Sequence, residues 1–222
     1  MAIQHNVNTR SSARTMMYDK PIYSLMIKRV LDIVISLILI ILCLPLFLII
    51  SYRIYTREGK PVFYREVRMG KHNQPFIMRT FRTKTVPSQV IRSLPPLPVP
   101  DAWKNGVPSK FTLKSNSYTT ITPTGEFLLK FKLHKLPLLF HVLKGDMSLV
   151  GPQAELIEVA KYYNEHQNKR LELKPGITGY AQIHNLYNDN HRQKVLYDLY
   201  YIRNYSLRFD VKIIFQSIKK LI

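Results

Sequence analysis

The chain is short of cysteine and of acid. Cys43 stands alone among 222 residues, so no intramolecular disulfide can form and nothing signals an oxidising compartment. It lies inside an apolar run, where a thiol behaves as an inert hydrophobe. Acidic residues number 14 against 33 Lys and Arg, a formal net charge of +19. No two acids are adjacent, and the closest pair, Glu155 and Glu158, stands three apart. A neighbouring carboxylate pair for metal or acid–base chemistry is therefore missing from the sequence, although distant segments can still meet in a fold. There is no internal repeat and no nucleic-acid-binding motif, which sets nucleic acid aside as the partner of this charge. The excess of cations suits phosphates of anionic lipid or of phosphorylated substrates.

What is present is one long hydrophobic run. Residues 33–50, IVISLILIILCLPLFLII, hold eighteen positions whose only ionisable group is Cys43. As helix this reaches roughly 27 Å, against ~30 Å for the hydrocarbon of a bilayer. Lys28 and Arg29 precede it, and Arg53, Arg57 and Lys60 follow. Basic flanks favour the cytoplasmic side, and a straight span would carry one cluster across. A re-entrant helix bent at Pro45, which removes one backbone hydrogen bond, keeps both on one side. A simple span is the alternative. A signal peptide fits poorly, since the segment before the run is long and no small-residue cleavage site follows. Asp32 at the boundary is expected to pair with Lys28 or Arg29.

The rest divides by composition. Residues 1–19 are polar and patternless and read as a mobile tail, 20–55 as a membrane anchor, and 56–222 as one cytoplasmic domain. Ile22, Leu25, Met26 and Val30 have helical spacing, so the helix is expected to start before the apolar run. Residues 61–82 alternate apolar and polar around MGKHNQP and predict a β-hairpin carrying Arg65, Arg68, Arg79 and Arg82. Residues 86–121 hold six of the 14 prolines and read as a loop. Trp103 within it suits either a membrane interface or packing in the loop. Helix is expected from about Glu126 with an interruption at Pro137, over 155–170, over 190–204 and in the C-terminal FDVKIIFQSIKKLI. In that last segment Lys212, Lys219 and Lys220 would meet headgroups while Ile213, Ile214 and Ile218 turn inward, or the helix is an ordinary surface one. The fold class is mixed α/β, mainly helical: a single membrane-associated domain with an N-terminal re-entrant helix and a small hairpin.

Five blocks in order then resemble one family: KRVLDIVISL leading into the Pro-broken run, GKPVFYREVRMG with PFIMRTFRT, LLKFKLHKLPLLFHVLKGDMSLVGP, KPGITGYAQI, and YIRNYSLRFDVKII. Over about residues 26–220 the chain is similar to bacterial sugar transferases, the monotopic phosphoglycosyl transferases. The resemblance implies a protein of the cell membrane's cytoplasmic face that transfers a sugar 1-phosphate from a UDP-sugar to undecaprenyl phosphate. It implies release of UMP, assistance by magnesium, and a place among proteins that assemble exopolysaccharide, capsule or lipid-linked glycans. The family works through an adjacent Asp and Glu in Leu-Asp-Glu-Leu-Pro-Gln-Leu. The Asp attacks phosphorus and the Glu helps to hold the metal.

In this chain the dyad positions hold His134 and Lys135. The Gln after the proline is Leu138, the following Asn is His141, and Val-Gly-Pro-Arg-Pro reads Val150, Gly151, Pro152, Gln153, Ala154. Lys-Phe-Arg-Ser-Met reads Thr80, Phe81, Arg82, Thr83, Lys84. A protonated Lys135 repels a cation that wants oxygen ligands, which makes magnesium doubtful. The turn-forming residues from Gly145 to Pro152 and from Pro175 to Gly179 are kept. Arg68 and Arg82 match basic positions of the family and, with Gln153, are the candidate substrate contacts. The expectation is a catalytically degenerate member that still binds a nucleotide sugar or polyprenyl phosphate. The alternatives are an active enzyme, with His134 as nucleophile or Glu155 replacing the lost Glu, and a basic membrane-surface scaffold.

Overall fold

The computed structural model describes residues 22–85, 101–109, 111, 120–186 and 190–220. The tail expected at 1–19 and most of the Pro-rich stretch at 86–121 lie outside the described residues. The first element, α1 (Ile22–Glu58), is a helix of 37 residues that starts before the apolar run and continues past Pro45. It is long and apolar enough to cross a membrane. It is not sheathed in protein, however. Arg29, Asp32, Ser36, Ile40, Cys43, Phe47, Ile50 and Ile54 are buried or half-buried, a stripe at the 3.6-residue period. Leu31, Ile38, Leu42, Leu48 and Ile49 on other faces are exposed.

Polar contacts fix the start of this stripe. Lys28 Nζ lies 2.6 Å from Asp210 Oδ2 and 3.8 Å from Asp32 Oδ1, so Lys28 is the partner of Asp32. Asp32 also accepts from the Ser148 hydroxyl at 2.8 Å and the Leu149 N–H at 3.2 Å. Near the other end, Phe47, Ile50 and Ile54 pack with Phe81 and Leu128.

The hairpin forms as the alternation predicts. Strands β1 (Phe63–Met69) and β2 (Pro75–Phe81) are antiparallel, in register from Phe63↔Phe81 to Met69↔Pro75. His72 and Asn73 take positive φ in the turn between them. Helix α2 (Pro123–Lys130) begins with a proline after Thr122, whose side chain accepts from the Gly125 N–H at 3.0 Å. The interruption expected at Pro137 falls at Lys132, which is left-handed (φ 54°), and a 3-10 turn, Leu133–Lys135, follows. Pro137 instead caps α3 (Leu138–Lys144), because a helix start needs no N–H from it. Gly145 ends α3 at φ 104°, where its missing Cβ leaves room for the Arg29 guanidinium.

Two short strands follow, β3 (Ser148–Val150) and β4 (Glu155–Leu156). The latter joins the free edge of β1. The single helix expected over 155–170 does not form. Its place is taken by β4, α4 (Ile157–Ala160), α5 (Glu165–Asn168) and a 3-10 turn. Asn164 restarts the helix with a reciprocal cap: its side chain accepts from the Gln167 N–H, and Gln167 Oε1 accepts from the Asn164 N–H. Strand β5 (Gly176–Thr178) runs parallel to β3. The two segments touch at glycines, since a Cβ on Gly176 would lie 2.1 Å from the Gly151 nitrogen. Gly176→Ala should therefore lower stability by at least about 1–3 kcal/mol, read as a fall in melting temperature in detergent.

The chain closes with α6 (Tyr180–Ile183), α7 (His191–Arg203) and α8 (Leu207–Lys219). Ile213 is fully buried, but Ile218 is 51% exposed beside Val211 and Phe215, a correction to its inward assignment. The two isoleucines are five residues apart, roughly 140° around the helix, so they cannot share a face. The main core joins Leu138, Val142, Met147, Leu149, Val195, Leu199, Ile202 and Ile213. Trp103 packs in a separate cluster with Val107, Leu156 and Val159, edge-on to Phe111 and Tyr162.

Candidate functional site

The left-handed Lys132 and the 3-10 turn after it swing Lys135 into a pocket of about 280 Å3. Its walls come from Leu39 and Cys43 of α1, Phe131, Lys132, Leu133, Lys135 and Leu136 of the turn, Leu139 of α3, Ile177, Thr178, Gln182 and Ile183 of β5 and α6, and Ser217 with Lys220 at the end of α8. Gln153 also lines it. One wall is thus apolar and belongs to the long helix, while the polar groups are lysines, amides and hydroxyls.

Lys135 donates to the Ile177 carbonyl at 3.3 Å, and Lys220 to Asn185 Oδ1 at 3.2 Å. The Thr178 hydroxyl donates to Ser217 Oγ at 3.0 Å. Burial pushes Lys135 down to about 8 from its usual 10.5, and the charge of Lys132 adds to the shift. The buried oxygen of Gln182 has no hydrogen-bond partner among the described residues. An orphaned acceptor in a pocket of cations is short of a donor such as a hydroxyl.

His134 is not among the residues that line the pocket. Its Nδ1 lies 3.2 Å from the Leu128 carbonyl, so that nitrogen carries the proton and donates. Burial lowers its pKa, with Lys135 and Lys132 in the same direction and the Leu128 carbonyl opposing. The other predicted contacts also have partners within the fold. Arg68 pairs with Glu66 and donates to the Ala154 carbonyl at 3.2 Å. Arg82 donates to the carbonyls of Glu58, Gly59 and Lys60 at 2.7, 2.9 and 3.2 Å, which caps the C-terminus of α1. Arg29 does the same for α3, donating to Val142 and Leu143 at 2.6 and 2.8 Å. Of the predicted substrate contacts, the pocket collects Gln153; Arg68 and Arg82 lie outside it.

The resemblance implies magnesium, a cation that wants oxygen ligands. No carboxylate stands among the described residues of the pocket, and no group of three His, Cys, Asp or Glu side chains among the described residues could hold a metal. Two glutamine amides and two hydroxyls among three lysines are the wrong donor set for a hard divalent cation. The residues present do not fit it.

Glu155, the candidate replacement carboxylate, is committed elsewhere. Its Oε2 lies 2.7 Å from Arg170 Nη1, 2.8 Å from Lys194 Nζ and 2.9 Å from the Tyr163 hydroxyl. Arg170 Nη2 also pairs with Asp198 at 2.6 Å, and all four charged side chains are essentially fully buried. Burial alone would raise the Glu155 carboxyl; Lys194 and Arg170 outweigh it and hold it well below the usual range. The neighbouring His191 is pushed down to about 3, chiefly by burial. Neither Lys194 nor Asp198 emerged from the motif reading. The signal was there, because they stand four apart on the same helix face as the apolar Val195, Leu199 and Ile202.

Comparison with known proteins agrees with these blocks. The family model for bacterial sugar transferases matches residues 23–222. The chain is 33% identical over 222 residues to an undecaprenyl-phosphate galactose phosphotransferase of Salmonella typhimurium, spanning 99% of this chain and 43% of that protein. It is 32% identical to the uncharacterized sugar transferase EpsL of Bacillus subtilis, spanning 89% of this chain and 88% of that one. It is also 32% identical to a UDP-glucose:undecaprenyl-phosphate glucose-1-phosphate transferase of Klebsiella pneumoniae, over 92% of this chain and 42% of that one. The chain thus spans less than half of two of these relatives and most of the third. It belongs to the bacterial sugar transferase family.

Proposed function

We propose that this chain is a membrane-associated, catalytically degenerate sugar transferase that binds a nucleotide sugar or a polyprenyl phosphate without transferring the sugar phosphate. The observation that carries this reading is the pocket at the dyad position, where Lys132, Lys135 and Lys220 converge and no carboxylate is present among the described residues. Three cations suit a phosphate group, and the amides and hydroxyls beside them suit a sugar. The apolar wall from α1 suits a lipid-linked ligand. The names of the Salmonella and Klebsiella relatives support undecaprenyl phosphate and UDP-sugars as the ligand classes, and the family resemblance implies exopolysaccharide or capsule assembly as the setting. Other proteins of that assembly are the expected partners.

A re-entrant α1 fits the packing. The stripe from Arg29 to Ile54 lies against one globular body over its whole length, so a crossing would drag polar surface into hydrocarbon. Both basic flanks then stay on one face, the cytoplasmic one by the charge rule.

The test is direct. The protein in nanodiscs containing undecaprenyl phosphate is given magnesium and a panel of UDP-sugars, and UMP release is followed alongside ligand binding. Binding that survives EDTA, with no UMP released, is the expected result. Turnover that disappears in His134→Ala would replace this reading with an active enzyme using an altered nucleophile. If the wild type binds but is silent, UMP release by the double variant His134→Asp, Lys135→Glu would show that the dyad alone is missing.

A further inference from the structure

The hairpin carries four arginines, and the fold uses two of them. Arg68 is paired with Glu66, and Arg82 caps α1. The other two, Arg65 and Arg79, face each other as direct cross-strand partners and are both exposed. Neither guanidinium has a hydrogen bond or ion pair among the described residues. Like charges directly opposed across a strand pair repel, and an anion between them removes the penalty.

Arg79 also rims a cleft of about 600 Å3 between the hairpin, α1 and α3, within the size range of small-ligand sites. The cleft is distinct from the Lys135 pocket, with which it shares no lining residue. Its walls include Phe47, Phe63, Phe76 and Phe140, and Phe63 and Phe140 remain 37% and 46% exposed. Lys144 also lines the cleft, but its charge is offset by Asp146. The acid in the cleft is already engaged: Asp146 Oδ2 lies 3.1 Å from both His141 Nδ1 and Lys144 Nζ. His141 has no free nitrogen either, because its Nε2 accepts from the Arg79 N–H at 3.1 Å. What the cleft offers a ligand is therefore Arg79 at the rim and aromatic rings inside, and its wall on α1, Phe47, stands in sequence between the exposed Leu44 and Leu48.

We propose that this cleft binds an anionic phospholipid, with the phosphodiester between Arg65 and Arg79 and an acyl chain against Phe63 and Phe140. The site is independent of the reading of the Lys135 pocket and stands or falls without it. Its occupant is amphiphilic because the charged and aromatic halves adjoin. Its headgroup is anionic because the two unpaired arginines are what the hairpin presents.

The protein in neutral detergent is titrated with dioctanoyl phosphatidylglycerol, dioctanoyl phosphatidylcholine and glycerol phosphate, following melting temperature. In parallel, Phe140→Trp is titrated with brominated phosphatidylglycerol and its fluorescence is followed. Phosphatidylglycerol should bind at least tenfold tighter than phosphatidylcholine and quench the new tryptophan. The double variant Arg65→Gln, Arg79→Gln should lose that tenfold while melting no lower than wild type without lipid. Equal binding of the two lipids, or undiminished binding by the double variant, overturns the proposal. Glycerol phosphate binding as tightly as the lipid overturns it too, in favour of a soluble anion. Should the double variant fail to fold, quenching in the Phe140→Trp variant and the comparison of the two lipids still decide.

Discussion

Arg170→Leu should destabilise the protein by about 3–5 kcal/mol, the cost of stranding a buried charge. Asp198 would keep no cation as close as the guanidinium now 2.6 Å away, and the Gln153 carbonyl would lose a donor at 3.1 Å. Glu155 would retain Lys194 and Tyr163. The defect is thus traceable to Asp198, and Arg170→Leu with Asp198→Leu should recover much of the loss. Thermal or denaturant unfolding of the two single variants and the double variant gives the coupling directly. The pH dependence has a definite sign. In the wild type the Glu155 carboxyl titrates below its usual 4.5, so its contribution is present above that value and fades as pH falls. Asp198 is already raised by burial, and in Arg170→Leu it would be raised further. Its penalty is therefore relieved as the pH falls and the carboxyl takes a proton.

Lys135→Met should do the opposite, raising stability while removing ligand affinity. The ammonium titrates near 8 in the fold and near 10.5 when exposed. The folded protein therefore holds fewer protons between those values, stability rises with pH across that window, and the full penalty is present below about 8. A neutral, similarly shaped methionine should gain of order 2–3 kcal/mol at pH 7. The same burial makes the lysine a conditional anion receptor. Affinity for a UDP-sugar should be flat below pH 7 and fall up to tenfold per unit above 8. Lys135→Arg, which stays charged, should abolish that fall. Calorimetric titration at several pH values, beside melting curves, checks both halves; a methionine variant that binds as well as wild type would remove Lys135 from the site.

The sequence and the structure agree best where a local rule acts alone. The hairpin follows from period-two alternation, α7 and α8 from helical spacing, and the early start of α1 from Ile22, Leu25 and Met26. Local reasoning failed where distant groups decided. Over 155–170 the apolar spacing suggested one helix, but Glu155 is drawn into a strand beside Met69 and into charges from Arg170 and Lys194. Proline stops helices, so the sequence points to a break at Pro137, yet Lys132 makes the turn and the proline opens the next helix. The site was half legible. Motif order located Lys135 and Gln153, while matching basic positions also nominated Arg68 and Arg82, whose guanidinium groups are taken up by the fold. A position in a motif does not reveal which carbonyls a side chain will reach. Lys132, Lys220 and Gln182 come from separate segments, and only folding gathers them.

The two arginine caps have a consequence for how the protein can be handled. Arg29 closes the C-terminus of α3, and the end of α1 is itself closed by Arg82 from the hairpin. The long helix is therefore a structural beam of the domain, shared rather than appended. Cutting the chain after residue 58 to obtain a soluble fragment would leave the Val142 and Leu143 carbonyls without their donor and strip Phe81 and Leu128 of their neighbours. A detergent that loosens the helix from the body would therefore unfold the protein, whereas one that covers only the helix's exposed face should leave the fold intact.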